Sequence, residues 1–265
     1  MELMVTIGII TILAGILLPA VSKSKASALA VRCQSNLKQF GVAMRMYVGD
    51  ANFYPSASGE SFPNTWQGQL MPYASSGNPS PTVERYSVSA LLPIPELFRC
   101  SEYGLRAREL IKDMGGNGSS AGSPFTLTVN DPVHKGAYGY NAWGTGDMFG
   151  KRYGITGSDG GMVFDGGTPQ NTPILGLGLD CRDPLVVAPS EMISLGCLLG
   201  FDSWDRFLGP TGPNLLAEQH RGRGNVLACD GHVEAAKPAN LNGRNDSARR
   251  RWNRDFEAHP ESWQD

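Results

Sequence analysis

The sequence predicts an α+β protein in which one long N-terminal α-helix leads into a C-terminal head of short antiparallel strands joined by long loops. Three observations carry that expectation. A charge-free run from Leu3 to Val21 leads into a helical stripe that ends near Val48. The remainder is turn-rich, within totals of 33 Gly and 18 Pro in 265 residues. A strand, turn, strand signature surrounds Asp230-Gly231.

Only Thr6 and Thr11 are polar between Leu3 and Val21, and a run of about 19 such residues is enough to cross a bilayer as a helix. Beyond it Leu29, Cys33, Leu37, Phe40, Met44 and Tyr47 recur at intervals of four, four, three, four and three, the period of one apolar helix face. A helix from Glu2 to Val48 is about 70 Å long at the α-helical rise. We therefore divide the chain into a helical part, residues 1–48 with a membrane span at 3–21, and a head, residues 49–265. The division falls at Gly49-Asp50, where "DANFYPSASGESFPNTW" brings loop chemistry with Pro55 and Pro63.

Within the head the pattern predicts a short helix at Trp66 to Tyr73, and another from Tyr103 to Met114 stopped by a glycine pair. A half-buried strand follows at Phe125, Leu127 and Val129, alternating with Thr126 and Thr128. "GAYGYNAWG" reads as strand or loop. Met192 to Leu199 reads as a buried strand, too short to span a membrane. In "NVLACDGHVEAA" two strand-like runs flank Asp230-Gly231, the dipeptide suited to the positive φ angles of a type I′ turn. A two-residue turn there sets Cys229 opposite His232, Ala228 opposite Val233 and Val226 opposite Ala235, the last two pairs forming an apolar side.

A net charge of -2 with no basic stripe gives no electrostatic footprint for nucleic acid. The five cysteines, Cys33, Cys100, Cys181, Cys197 and Cys229, form no C-x-x-C pair, so local spacing predicts no metal. Asp159 and Asp165 lie in a glycine-rich stretch that fits no calcium motif and reads as a solvated turn. With no G-x-S-x-G or H-E-x-x-H motif, no catalytic residue and no cofactor are predicted. His220 reads as a residue that orders its loop, and His232 with Glu234 offers too few ligands for a site.

The N-terminus admits three readings. A secretory signal is served by Ala26-Ser27-Ala28 as a cleavage site, but Glu2 supplies the wrong flank and the apolar run is long. A plain anchor explains the run but not Glu2, because a carboxylate beside hydrocarbon is costly. The third reading is a pilin-like helix. Lys23, Lys25 and Arg32 follow the run with nothing positive before it, which taken alone orients the head to the cytoplasm.

Glu2-Leu3-Met4-Val5, with Pro19 in the later half of the apolar run, resembles the N-terminus of type IV pilins and type II secretion pseudopilins. "HRGRGNVLACDGHVE" carries an H-x(9)-D-G motif, His220 to Asp230-Gly231, within a hairpin region at 220–236. With "RCQSNLKQFGVAM", "LFRCSE", "YGYNAWG" and "RRRWNRDFEAHPESW" it resembles the prepilin-type cleavage/methylation proteins of planctomycete and verrucomicrobial type. Ser101 stands where those proteins commonly have proline. The resemblance implies that the second half of the helix packs on the head, and that Glu2 neutralises the N-terminal amine of a neighbouring subunit. Pro19 would kink or locally melt the helix.

It further implies a basic leader and a phenylalanine upstream of Met1, removed or methylated by prepilin peptidase. That leader would reverse the orientation, giving a single pass through the inner membrane with the head in the periplasm. The implied partners are prepilin peptidase, other pilin-like subunits in a homo- or hetero-filament, and membrane lipid. A Cys33–Cys100 disulfide, joining two of the resembling stretches, is the pairing expected. The alternative function is a monomeric membrane-anchored periplasmic module binding carbohydrate through Tyr140, Trp143 and Trp204. The tail, with Trp252, Phe256 and Trp263, is expected to dock on the head or a neighbour.

Overall fold

The computed structural model describes residues 2–55, 66–74, 96–98, 100, 138–141, 144, 181–198, 208–210, 216–218 and 220–262. The expected helix at Tyr103–Met114, the strand at Phe125–Val129, the Asp159 and Asp165 stretch, and Trp143, Trp204 and Trp263 lie outside these residues.

Helix α1 spans Glu2–Ala51, 50 residues, about 75 Å at the α-helical rise. It divides by burial as the sequence pattern predicts. From Leu3 to Val21 the large apolar side chains are exposed, and the helix is long and apolar enough to cross a membrane. From Cys33 onward one face is buried through Leu37, Phe40, Met44 and Val48, while Val31, Val42 and Met46 face outward. Leu29 and Tyr47 sit half-buried at the margins of the stripe. The helix is unbroken at Pro19, so no local melting occurs; the ring removes one i→i−4 hydrogen bond, and the turns on either side carry the helix past it.

Helix α2, Trp66–Ala74, lies against α1 and supplies Trp66 to an aromatic cluster. Phe40 meets Phe98 at 4.8 Å, Tyr138 at 5.7 Å and Trp66 at 5.9 Å between ring centroids. Trp66 in turn stacks on Tyr140 at 5.8 Å. Offset and edge contacts of this kind add to the gain from area burial.

The sheet has four antiparallel strands in chain order: β1 Tyr138–Tyr140, β2 Ile193–Cys197, β3 Gly224–Ala228 and β4 Val233–Ala236. The glycine-aromatic stretch is therefore a strand at Tyr138–Tyr140. The first three strands are buried throughout, because α1 covers the face bearing Asn225 and Leu227 while Leu208 and Leu216 cover the face bearing Gly196 and Val226. Strand β4 is half-buried along its length.

The hairpin β3–β4 forms at Asp230-Gly231, but its turn differs from the expected one. Observed partners are Leu227 with Val233, Val226 with Glu234 and Asn225 with Ala235, one residue out of the predicted register. The cause lies in the backbone: Gly231 alone takes a positive φ, 95°, whereas a type I′ turn needs two such residues. Gly231 N–H donates to Ala228 O and Ala228 N–H to His232 O, which makes a three-residue loop with glycine at the left-handed position. Asp230 Oδ1 accepts from His232 N–H at 2.9 Å and holds that shape.

The tail docks on the head. Trp252 is buried and its Nε1–H donates to Leu241 O. Two short helices, Pro238–Leu241 and Asp246–Arg250, lead to it, the second capped by Asn245 Oδ1 accepting from Ala248 N–H. Asn141 binds the tail to the sheet: its amide donates to Ile193 O at 2.7 Å and Trp252 O at 2.8 Å, and its Oδ1 accepts from Gly144 N–H.

Candidate functional site

The most concentrated chemistry in the described head is a buried group of three thiols and one imidazole. Cys33 comes from the buried stripe of α1, Cys100 follows the 3-10 turn Glu96–Phe98, and Cys197 ends β2. His220 precedes β3 and is placed by a tight turn, in which His220 N–H donates to Arg223 O and Arg223 N–H to His220 O. The central residues of that turn, Arg221 and Gly222, have φ of 55° and 74°, the signature of a type I′ hairpin turn. The type expected at Asp230-Gly231 thus occurs nine residues earlier, at an Arg-Gly pair. Arg221 is further held by Nη2–H donating to Lys23 O at 2.6 Å.

The ligating atoms of the four side chains all lie within 4.8 Å of one another, and all four residues are buried. Cys100 Sγ is 3.4 Å and Cys197 Sγ 3.6 Å from His220 Nε2, and Cys33 Sγ is 3.2 Å from Cys197 Sγ. Tyr138 Oη–H donates to Cys33 Sγ at 3.4 Å.

The electrostatics are those of a shared proton shortage. Hydrogen bonds from Cys100 and Cys197 bring the Cys33 thiol far below its ordinary range. Burial opposes charge on His220, but its hydrogen bonds to Cys100 and Cys33 and the nearby thiolate charge push it up to about 10. Burial holds Cys197 well above the thiol range, and burial with the Cys33 charge raises Tyr138, which stays a donor. A thiolate and an imidazolium in one buried pocket is an arrangement that favours either metal ligation or oxidation of the thiols.

The expected residues fall in different places. Cys33 and Cys100 are neighbours, as the resemblance implied, but both are free thiols with no S–S bond between them. Their proximity arises from a four-residue cluster, in which Cys33 also lies 3.2 Å from Cys197. His220 and Asp230 belong to separate networks: Asp230 pairs with His232 Nδ1 at 2.7 Å, and Glu234 pairs with Arg251. Gly231 packs on α1, where a Cβ added to Gly41 would lie 3.0 Å from Gly231 O. Glu2 opens α1 and Pro19 sits in its exposed part. Tyr140 is fully buried with its hydroxyl donating to Pro55 O at 2.8 Å, so it offers no surface to a sugar.

The four clustered residues escaped local spacing rules because no two of them are close in sequence. The signal that was present lay in the burial pattern, since Cys33 falls on the apolar stripe of α1 and Cys197 in a buried strand.

The profile of the family described as SBP_bac_10, protein of unknown function (DUF1559), matches residues 24–170, more than half of the chain. No curated protein and no solved structure matches it.

Proposed function

The chain belongs to the DUF1559 family, and from that membership we propose that it is a membrane-anchored pilin-like subunit, a structural component of a type II secretion or type IV pilus-like filament rather than an enzyme. The family is associated with pilin-like proteins of planctomycete type. The observation that carries the proposal is the division of one unbroken helix, exposed and apolar at Leu3 to Val21, then built into the core of the head from Cys33 to Val48. A helix that only anchored a head would need no such continuity; a subunit that stacks through its helices and displays its heads does.

On this reading prepilin peptidase processes the N-terminus, the head lies in the periplasm, and the helix crosses the inner membrane once. Glu2 pairs with the N-terminal amine of the adjacent subunit, which makes a carboxylate tolerable where an isolated one is costly. Pro19 leaves a carbonyl free in the exposed segment for adjustment on assembly. The burial of Tyr140 removes one of the three aromatic residues that a carbohydrate-binding module would use.

Crosslinking in native membranes tests the proposal. We expect a ladder of multimers that collapses to a membrane-bound monomer in the Glu2→Ala variant. A wild-type chain that stays monomeric at every crosslinker concentration would remove the filament reading.

A further inference from the structure

We propose that Cys33, Cys100, Cys197 and His220 bind one zinc(II) ion as a closed, structural Cys3His site. The inference stands on the cluster alone and holds whether or not the chain assembles into filaments.

The geometry is that of a mononuclear tetrahedron. With Zn–S near 2.3 Å and Zn–N near 2.0–2.1 Å, a tetrahedral site has sulfur–nitrogen edges of about 3.5 Å and sulfur–sulfur edges of about 3.8 Å. The two sulfur–nitrogen separations, 3.4 and 3.6 Å, bracket the first value. The Cys33–Cys197 separation of 3.2 Å is shorter than the second, yet far beyond a disulfide bond of about 2.05 Å. Every ligating atom lies within 4.8 Å of the others, so side-chain shifts of about 1 Å or less bring all four to bonding distance of one small ion.

The donor set selects the metal. Three thiolates and an imidazole in tetrahedral array suit zinc, whereas calcium and magnesium require oxygen. No ligand position is left for water, since four protein atoms complete the shell and all four residues are buried; such closed sites are structural rather than catalytic. Tyr138 Oη–H, donating to Cys33 Sγ at 3.4 Å, supplies the outer hydrogen bond that orients a ligand thiolate. Binding releases to solvent the thiol protons of Cys100 and Cys197 and the His220 imidazolium proton, so that the ligands enter as three thiolates and a neutral imidazole.

The ligands come from four separate places: the long helix, the segment after the 3-10 turn, the end of a central strand and the turn before β3. An ion held by all four fastens the head to the helix that carries it. It also gives His220 of the H-x(9)-D-G motif a role that neither catalysis nor its turn requires.

The experiment uses the full chain, purified in detergent with reductant and without chelator, its metal content measured by mass spectrometry. We expect about one zinc per chain, retained in Cys229→Ser, whose thiol lies outside the cluster, and lost in Cys197→Ser. Exchange to cobalt(II) should give tetrahedral d–d bands with thiolate charge transfer. Because Cys197→Ser is itself in the core, His220→Cys provides the second arm: it should keep the metal and gain charge-transfer intensity from a fourth thiolate, which a packing role for His220 would not produce. Protein free of metal with all five thiols reduced would overturn the proposal. So would a disulfide between Cys33 and Cys197 or Cys100 in chain isolated from membranes.

Discussion

Phe40→Ala is the substitution that most directly asks whether α1 belongs to the head or only leads to it. The ring is fully buried between Trp66, Phe98 and Tyr138. Truncation removes roughly 100 Å² of apolar side chain, about 2.5 kcal/mol at about 25 cal/mol per Å². Three aromatic contacts at about 0.5 kcal/mol each add about 1.5 kcal/mol. A loss of about 4 kcal/mol is a large part of the roughly 5–15 kcal/mol that holds a domain folded. Val42, two residues on and 59% exposed, is the matched control, and Val42→Ala should stay within about 0.5 kcal/mol. The assay is urea unfolding in detergent followed by near-UV circular dichroism, which reports the aromatic cluster itself. If Phe40→Ala shifted the midpoint no more than Val42→Ala, the helix would not be part of the head's core.

Three further outcomes follow from the same packing. Gly41→Ala should destabilise by on the order of 1 kcal/mol, because an overpacking cost of roughly 1–3 kcal/mol against the Gly231 backbone exceeds a helix-propensity gain of about 1 kcal/mol; a Cβ there would lie 3.0 Å from Gly231 O and 3.1 Å from its Cα. Gly49→Ala, with nothing within 4 Å, should instead stabilise, and thermal unfolding that moved both variants in the same direction would contradict the close approach. Asn141→Leu leaves the carbonyls of Ile193 and Trp252 without their shared donor, a cost of roughly 2–6 kcal/mol at about 1–3 kcal/mol for each buried group, and trypsin should then cut the tail at Arg251 or Arg254; an unchanged digest would refute the tie. Two residues inserted between Arg223 and Gly224 keep the strand's face alternation but move the turn by about 6.6 Å, so His220, now 5% exposed, should become reactive to diethyl pyrocarbonate, and continued protection would refute its placement.

What the sequence disclosed depended on whether the responsible interaction was local. The stripe of α1 was legible because each apolar side chain lies one turn from the next, so the helix period writes the buried face directly. The hairpin was legible in place but not in register. Asp230 satisfied the dipeptide rule, yet its side chain capped His232 N–H and left only Gly231 at positive φ, which adds a residue to the loop and shifts every pair by one. The actual type I′ turn uses Arg221 at φ 55°, an arginine with no local propensity for that conformation, held there by its reach to Lys23 O. The cysteine cluster was illegible for a different reason: metal-spacing rules describe ligands carried on one loop or knuckle, and here helix-on-sheet packing assembles ligands that the chain keeps far apart. Cys33 marked itself only as one more member of an apolar stripe.

The spacing within H-x(9)-D-G acquires a physical meaning from where its two ends rest. His220 meets Cys33, and Gly231 meets Gly41, eight residues further along the same helix, about 12 Å at the α-helical rise. Between them Asn225 Oδ1 accepts from Gln34 Nε2–H, and Leu227 packs on Gly41. Strand β3 therefore runs along α1 in the direction of the helix, a strap pinned at an imidazole end and a glycine end. The glycine holds a φ of 95°, which L side chains rarely adopt, and lies against Gly41, where an added Cβ would come within 3.0 Å of Gly231 O; the histidine sets its imidazole over the thiols because its turn ends there. Nine intervening residues supply the two-residue turn, the strand and the start of the hairpin loop, which is the path from one pin to the other. Since the same helix continues unbroken into the exposed apolar segment, the strap fixes the orientation of the sheet relative to that segment.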